Sequence, residues 1–190
     1  MIRRILGIDP GSRITGYGIV EQSGQHPPQC LVGGCLRLKA QELPNKLAEL
    51  FVGIQEIVRT YQPTELAIEQ VFVHKNVRSA LVLGHARGVA IAAVMTLNIP
   101  VFEYAPRQIK LAVTGTGNAE KSQIQQMMKI LLRLEAVPQT DCADALAVAL
   151  CHLHRGQHER ISVGAGNNVK RRGANSRKLW KQQYDRTNTR

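Results

Sequence analysis

Acidic residues are scarce in this chain, and so is anything that would cross-link it. Fourteen Asp and Glu stand against 25 Lys and Arg among 190 residues, a formal charge of +11. Such a balance favours anionic partners, either nucleic acid or a membrane surface. The four cysteines, Cys30, Cys35, Cys142 and Cys151, lack Cys-x-x-Cys spacing. A disulfide framework is not expected from them in a reducing compartment. Cys151, His152 and His154 invite a zinc reading, but their spacing is not that of zinc ligands. Long hydrophobic runs are missing too. The longest, Val89 to Leu97, is too short to cross a bilayer. Two arginines open the chain, yet few apolar residues follow before Asp9, so no signal peptide is expected. These absences predict a cytoplasmic protein with no membrane partner.

The positive charge is unevenly spread. Residues 156–190 hold nine Lys and Arg with two acids, an excess of +7, while residues 1–155 hold sixteen with twelve, an excess of +4. The apolar pattern dissolves after Gly156 into Gly, Asn, Arg and Lys, without an amphipathic face. The expected division is a folded domain over 1–157 and a basic, disordered tail over 158–190.

An apolar fraction of 44% supports a real core in the first part. Ile2 to Asp9 reads as a buried strand that stops at Pro10-Gly11. Gly16 to Glu21 and Gln29 to Leu38 read as two more strands on short links, an antiparallel meander. Pro44 to Tyr61 has Leu47, Leu50, Phe51, Ile54, Ile57 and Val58 at helical spacing. Glu65 to Glu69 is a short buried strand, and Val77 to Leu97 a long helix closed by Asn98 and Pro100. Val101 to Tyr104 is a last strand. Helices follow over Pro106–Val113, Ala119–Leu134 and Thr140–His154. The predicted fold is α/β, a mixed five-stranded sheet with its first three strands antiparallel and helices on both faces.

Four carboxylates stand where apolar segments meet polar ones. Asp9 and Glu69 each end a predicted strand. Asp141 and Asp144, three apart, share one face at the start of the last helix. Taken alone, that pair also suits a helix N-terminus, where negative charge is favoured. Burial of the apolar segments would crowd all four, and crowded carboxylates repel until one takes a proton. A divalent cation removes the conflict, and oxygen-only ligands suit Mg²⁺ or Mn²⁺. The pattern points to metal-dependent phosphoryl transfer.

Blocks of sequence around these acids resemble the RuvC-type Holliday junction resolvases of the ribonuclease H-like superfamily. They are Gly7-Ile8-Asp9-Pro10-Gly11-Ser12 with Thr15-Gly16-Tyr17-Gly18, Ala67-Ile68-Glu69-Gln70-Val71-Phe72, Lys75-Asn76, Gly84-His85-Ala86-Arg87-Gly88, Tyr104-Ala105-Pro106, Gly117-Asn118-Ala119-Glu120-Lys121 and Asp141-Cys142-Ala143-Asp144-Ala145. The resemblance spans about residues 2 to 155 and leaves out the tail. It implies a ribonuclease H-like fold and a homodimeric endonuclease that nicks four-way DNA junctions in recombination and repair. It also implies two Mg²⁺ per site held by Asp9, Glu69, Asp141 and Asp144, 5′-phosphate products, and a branch-migration helicase partner.

Other residues are candidates beside these. Lys110 and Lys121 flank the Gly115–Asn118 loop, where either would steady a phosphate. Lys121 would otherwise be a solvent-facing helix residue paired with an acid. Phe72, three residues past Glu69, is either a core residue or a wedge that unstacks a base step. Lys75, Arg78 and Arg87 are candidate phosphate contacts. Gly84, Gly88 and Ala92 recur every four residues, which lets another helix approach closely. That partner is the domain's own sheet or the same helix of a second subunit.

Three rival readings are weaker or need an experiment. A sugar-kinase or actin-like ATPase needs a second Asp-x-Gly phosphate loop and a late Gly-Gly segment, and neither follows Glu69. A non-catalytic DNA-binding module leaves the four acids unexplained. A nuclease for RNA–DNA hybrids is separated only by a substrate panel.

Overall fold

The computed structural model describes residues 2–70 and 77–155. Strands β1 (Ile2–Asp9), β2 (Ile14–Ser23) and β3 (Gln29–Arg37) come first, then helix α1 (Leu43–Tyr61) and β4 (Glu65–Glu69). Helix α2 (Val77–Met95), β5 (Val101–Tyr104), α3 (Pro106–Thr114), α4 (Lys121–Leu131) and α5 (Thr140–Arg155) complete the order. The sheet runs β3-β2-β1-β4-β5. β1 is antiparallel to β2 and β2 to β3, while β4 and β5 join in parallel. The predicted α/β mixed sheet is the one observed.

Strand alternation splits the interior into two cores. Ile5, Ala67, Phe102 and Tyr104 face α3, α4 and α5. Leu6, Ile8, Ile19, Leu66 and Ile68 face α1 and α2. Helices therefore cover both faces, as parallel strands require.

Element ends follow local chemistry. Pro44 sits in the first turn of α1, where its missing N–H costs nothing. Gln62 ends that helix in the left-handed region at φ 51° and donates its N–H to the Val58 carbonyl. The helix expected over 119–134 is shorter, Lys121–Leu131. At its start the Gln123 side chain accepts the Glu120 N–H at 2.8 Å. At its end Arg133 turns left-handed at φ 51°, and Leu134 N–H reaches back to the Lys129 carbonyl at 2.9 Å. That six-residue closure tightens the chain before the pattern runs out.

Two readings of α2 change. As a whole helix it is long and apolar enough to span a bilayer by length and composition. The Val89–Leu97 run understates it, because the apolar residues continue towards Val77. Its buried residues are Ala86, Ala90, Ala93 and Val94, packed in the α1–α2 core. Gly84, Gly88 and Ala92 lie on another face and are exposed. A β-carbon added at Gly84 or Gly88 would meet no atom within 4 Å. The small-residue stripe is thus not the seat of α2 on its own sheet.

Candidate active site

β1 and β4 are parallel neighbours with Ile8 opposite Ile68, so the next residues of each, Asp9 and Glu69, end side by side. α5 completes the group from above. It lies so close to the sheet that a β-carbon at Gly7 would stand 2.0 Å from the Ala145 carbonyl oxygen. One at Gly16 would stand 1.9 Å from the Asp141 carbonyl oxygen. Only glycine fits there, and that approach sets Asp144 over Asp9. Thr15, fully buried, fixes the turn beyond Asp9: its hydroxyl accepts the Gly11 N–H and donates to the Gly11 carbonyl, both at 3.2 Å.

Asp9, Glu69 and Asp144 line a cleft of about 210 Å³ with Pro106, Ile109, Lys110, Lys121 and Ile124. Asp141 does not line it. It sits one turn earlier on α5, yet its charge acts on Asp9, Asp144 and Lys121. Burial, then the charges of Asp144 and Glu69, push Asp9 up to about 7. Burial, then Asp144, pushes Glu69 up to about 7 as well. Burial also raises Asp144, against the pull of Lys121. The Lys121 ammonium stands 3.3 Å from Asp144 Oδ2 with 69% of its side chain exposed. Burial lowers Lys121 most strongly of any single cause, but Asp144, Asp9 and Asp141 together outweigh it and the net shift is upward. Lys121 is therefore solvent-facing and paired with an acid, and that acid lines the cleft.

This is a surplus of negative charge held by oxygen donors, which two lysines only partly offset. The donor set suits a hard divalent cation. Among the described residues no three His, Cys, Asp or Glu side chains already stand close enough to chelate one ion. The zinc trio also fails. His152 is fully buried with its Nδ1 2.6 Å from the Tyr104 hydroxyl and its Nε2 2.6 Å from Glu65 Oε2.

Arg87 departs from the expected phosphate contact. Its Nε donates to the Glu69 carbonyl at 3.2 Å, and its guanidinium pairs with Glu103. It braces the strand end that carries Glu69. Glu103 was not singled out from sequence, although alternation between buried Phe102 and Tyr104 turns it to the α2 face. Arg78 is exposed near the start of α2. Phe72 and Lys75 lie outside the described residues, as does the tail.

An acidic cleft at the ends of adjacent central strands, under α5 and beside two lysines, on this mixed sheet places the chain in the class of ribonuclease H-like nucleases. The model of the crossover junction endodeoxyribonuclease RuvC family matches residues 5–152. RuvC of Photorhabdus laumondii is 56% identical over 154 residues, covering 81% of this chain and 88% of that protein. RuvC of Shewanella amazonensis is 52% identical over 170 residues, 89% of this chain and 96% of that one. That alignment runs past residue 157, whereas the family model ends at 152, close to the expected span of about 2 to 155. The structure of Thermus thermophilus RuvC with a Holliday junction substrate is 29% identical, with a TM-score of 0.74 over 82% of this chain and 94% of that one. The chain belongs to the RuvC family of Holliday junction resolvases.

Proposed function

We propose that this protein resolves four-way DNA junctions by paired symmetric nicks, as a homodimer with one cleft per subunit. The convergence of Asp9, Glu69 and Asp144 beside Lys110 and Lys121 carries the reading. Asp9, Glu69, Asp144 and, from the rim, Asp141 would hold two Mg²⁺ ions, with Mn²⁺ as a substitute. When bound, the ions would supply an activated water and offset charge on the attacking and leaving oxygens of an in-line displacement. The chain's own residues do the rest. Asp9, on the central strand, is placed to serve both halves of the cleft. Lys110 holds the scissile phosphate over the carboxylates. Lys121 exchanges its Asp144 partner for that phosphate and stabilises charge that develops on it. Arg87 keeps Glu69 in place through its carbonyl. No nucleophilic side chain is needed, and the products carry a 5′-phosphate and a 3′-hydroxyl.

The two-fold partner would pack on the exposed Gly84–Gly88–Ala92 face of α2. Phe72, Lys75 and Arg78 would meet the junction beside the cleft. The basic segment 158–190 would add sequence-independent affinity through counterion release. A branch-migration helicase would be the further partner, in the cytoplasm.

The test is a panel of a mobile four-way junction, a linear duplex and an RNA–DNA hybrid, with and without Mg²⁺. Junction cutting should require Mg²⁺ and exceed cutting of the other two. Asp9→Asn, Glu69→Gln, Asp141→Asn and Asp144→Asn should each abolish cutting and leave junction binding. Near wild-type cutting by Asp9→Asn would overturn the site, and preference for the hybrid would overturn the substrate.

A further inference from the structure

Arg107 has no part in the site described so far. It lies in the first turn of α3 and is exposed. No carboxylate pairs with it among the described residues. A cation there opposes the helix macrodipole, which favours negative charge at an N-terminus, and α3 has no acid in its first turn to offset it. The charge is therefore left without a partner among the described residues.

Its side chain is nevertheless seated. The stem lies across Gly117, where a β-carbon would come within 2.7 Å of Arg107 Cγ and 3.0 Å of Nε. Gly117 belongs to the loop between α3 and α4, four residues before Lys121. Arg107 also precedes Lys110 by three residues, so the two share a stripe of α3. Lys110 lines the acidic cleft and acts on Glu69 and Asp144, whereas Arg107 neither lines it nor counts among the charges that shift its acids. Arg107 thus shares a helix stripe with a cleft lysine without lining the cleft itself.

We propose that Arg107, seated on Gly117, is a binding site for a DNA backbone phosphate neighbouring the scissile one. The proposal rests on the reading of the cleft as a junction nuclease. A guanidinium presents a planar fork that takes a phosphate through two parallel hydrogen bonds. Packing across Gly117 restricts the stem before DNA arrives, so less side-chain freedom is lost on binding. A larger residue at 117 would occupy the seat. Arg107 thus adds affinity for the strand beside the cleft, and Lys110 and Lys121 act on the phosphate that is cut.

The experiment uses the full chain and a four-way junction, with binding measured without divalent ion over a range of salt. Arg107→Gln should weaken binding about five- to tenfold and flatten the log–log salt slope by ~0.9, the loss of one neutralised phosphate. The single-turnover rate of pre-bound junction at saturating Mg²⁺ should stay within about twofold. Arg107→Lys should recover the slope but only part of the affinity, because an ammonium lacks the fork. Gly117→Ala should weaken binding in the native background and add nothing to Arg107→Gln. Native affinity and slope in Arg107→Gln would overturn the proposal. So would a loss of single-turnover rate without loss of affinity, which would place the group at the reacting atoms. Additive losses from the two substitutions would overturn the seat on Gly117. Wild-type protein that fails to cut junctions would sink the nuclease reading itself, whereas wild-type cutting with an unaffected Arg107→Gln would sink this proposal alone.

Discussion

Glu65 and Glu69 lie four residues apart on β4 and face the same side of the sheet, yet their surroundings drive them in opposite directions. Burial raises both. At Glu65 hydrogen bonds from His152 and Arg3 outweigh it and bring the carboxyl down to about 2. Arg3 grips both Glu65 oxygens at 3.0 Å, and His152 closes the group from α5. At Glu69 the neighbour is another acid, so the carboxyl rises to about 7. One end of the strand is neutralised by the fold and the other is left for a ligand. The two ends must respond oppositely to pH. Glu65 is lowered on folding, so its contribution is complete above 4.5 and is lost as pH falls towards about 2. Asp9 and Glu69 are raised, so metal-free protein loses stability as pH climbs from about 4 through about 7. Glu65→Gln should therefore cost about 2 kcal/mol at pH 7, the scale of a charged hydrogen bond. That is a Tm fall of about 4–8 °C for a domain of this size. The gap to wild type should close between about pH 4.5 and 2 in thermal melts. A gap of constant size over that range would show that Glu65 acts through packing rather than charge.

At the scale of elements, the site depends on how closely α5 lies on β1 and β2. The strands and helices themselves were legible, because period-2 and period-3.6 patterns are local. Asp9 and Glu69 were legible as a pair because both end apolar strands. The depth of α5 was not, since it is set by contacts more than a hundred residues apart in sequence. Gly7 and Gly16 stood in the quoted motifs, but nothing local says that Ala145 and Asp141 carbonyls rest on them. The inward turn of Arg87 was hidden because its partner Glu103 lies on another element, whose placement beside α2 no local pattern gives. Gly7→Ala should force α5 outward, since the obstacle is backbone and cannot swing aside. We expect about 1–3 kcal/mol of destabilisation, the usual cost of overpacking. Cutting should fall at least tenfold at a temperature where the variant is folded, because Asp144 moves with the helix. Gly84→Ala, with open space around its β-carbon within the subunit, is the matched control for stability and should not be destabilised. Full cleavage by folded Gly7→Ala would mean that Asp144 does not need this approach.

For the whole molecule, the exposed face of α2 is the feature a single subunit leaves unexplained. Val77 and Leu81 are 65% and 60% exposed, in line with a run of small residues at Gly84, Gly88 and Ala92. Sequence spacing exposed the stripe but left open what it faces. The fold answers half of that, because Ala86, Ala90, Ala93 and Val94 already take the inner face of the helix. A second subunit packed there would set two clefts about one axis, which paired nicks in opposite strands require. Gly88→Leu separates assembly from folding. Its side chain enters open space in the subunit, and replacing a mid-helix glycine favours the helix by up to ~1 kcal/mol. The variant should therefore melt no lower than wild type by circular dichroism at a concentration where both are monomeric. In sedimentation at micromolar concentration it should remain a monomer while wild type is a dimer. On a four-way junction it should make single nicks with a loss of paired ones, since each cleft is still whole. Wild type that sediments as a monomer would remove the two-fold arrangement. A Gly88→Leu dimer with normal paired nicking would move the interface to another face of the molecule.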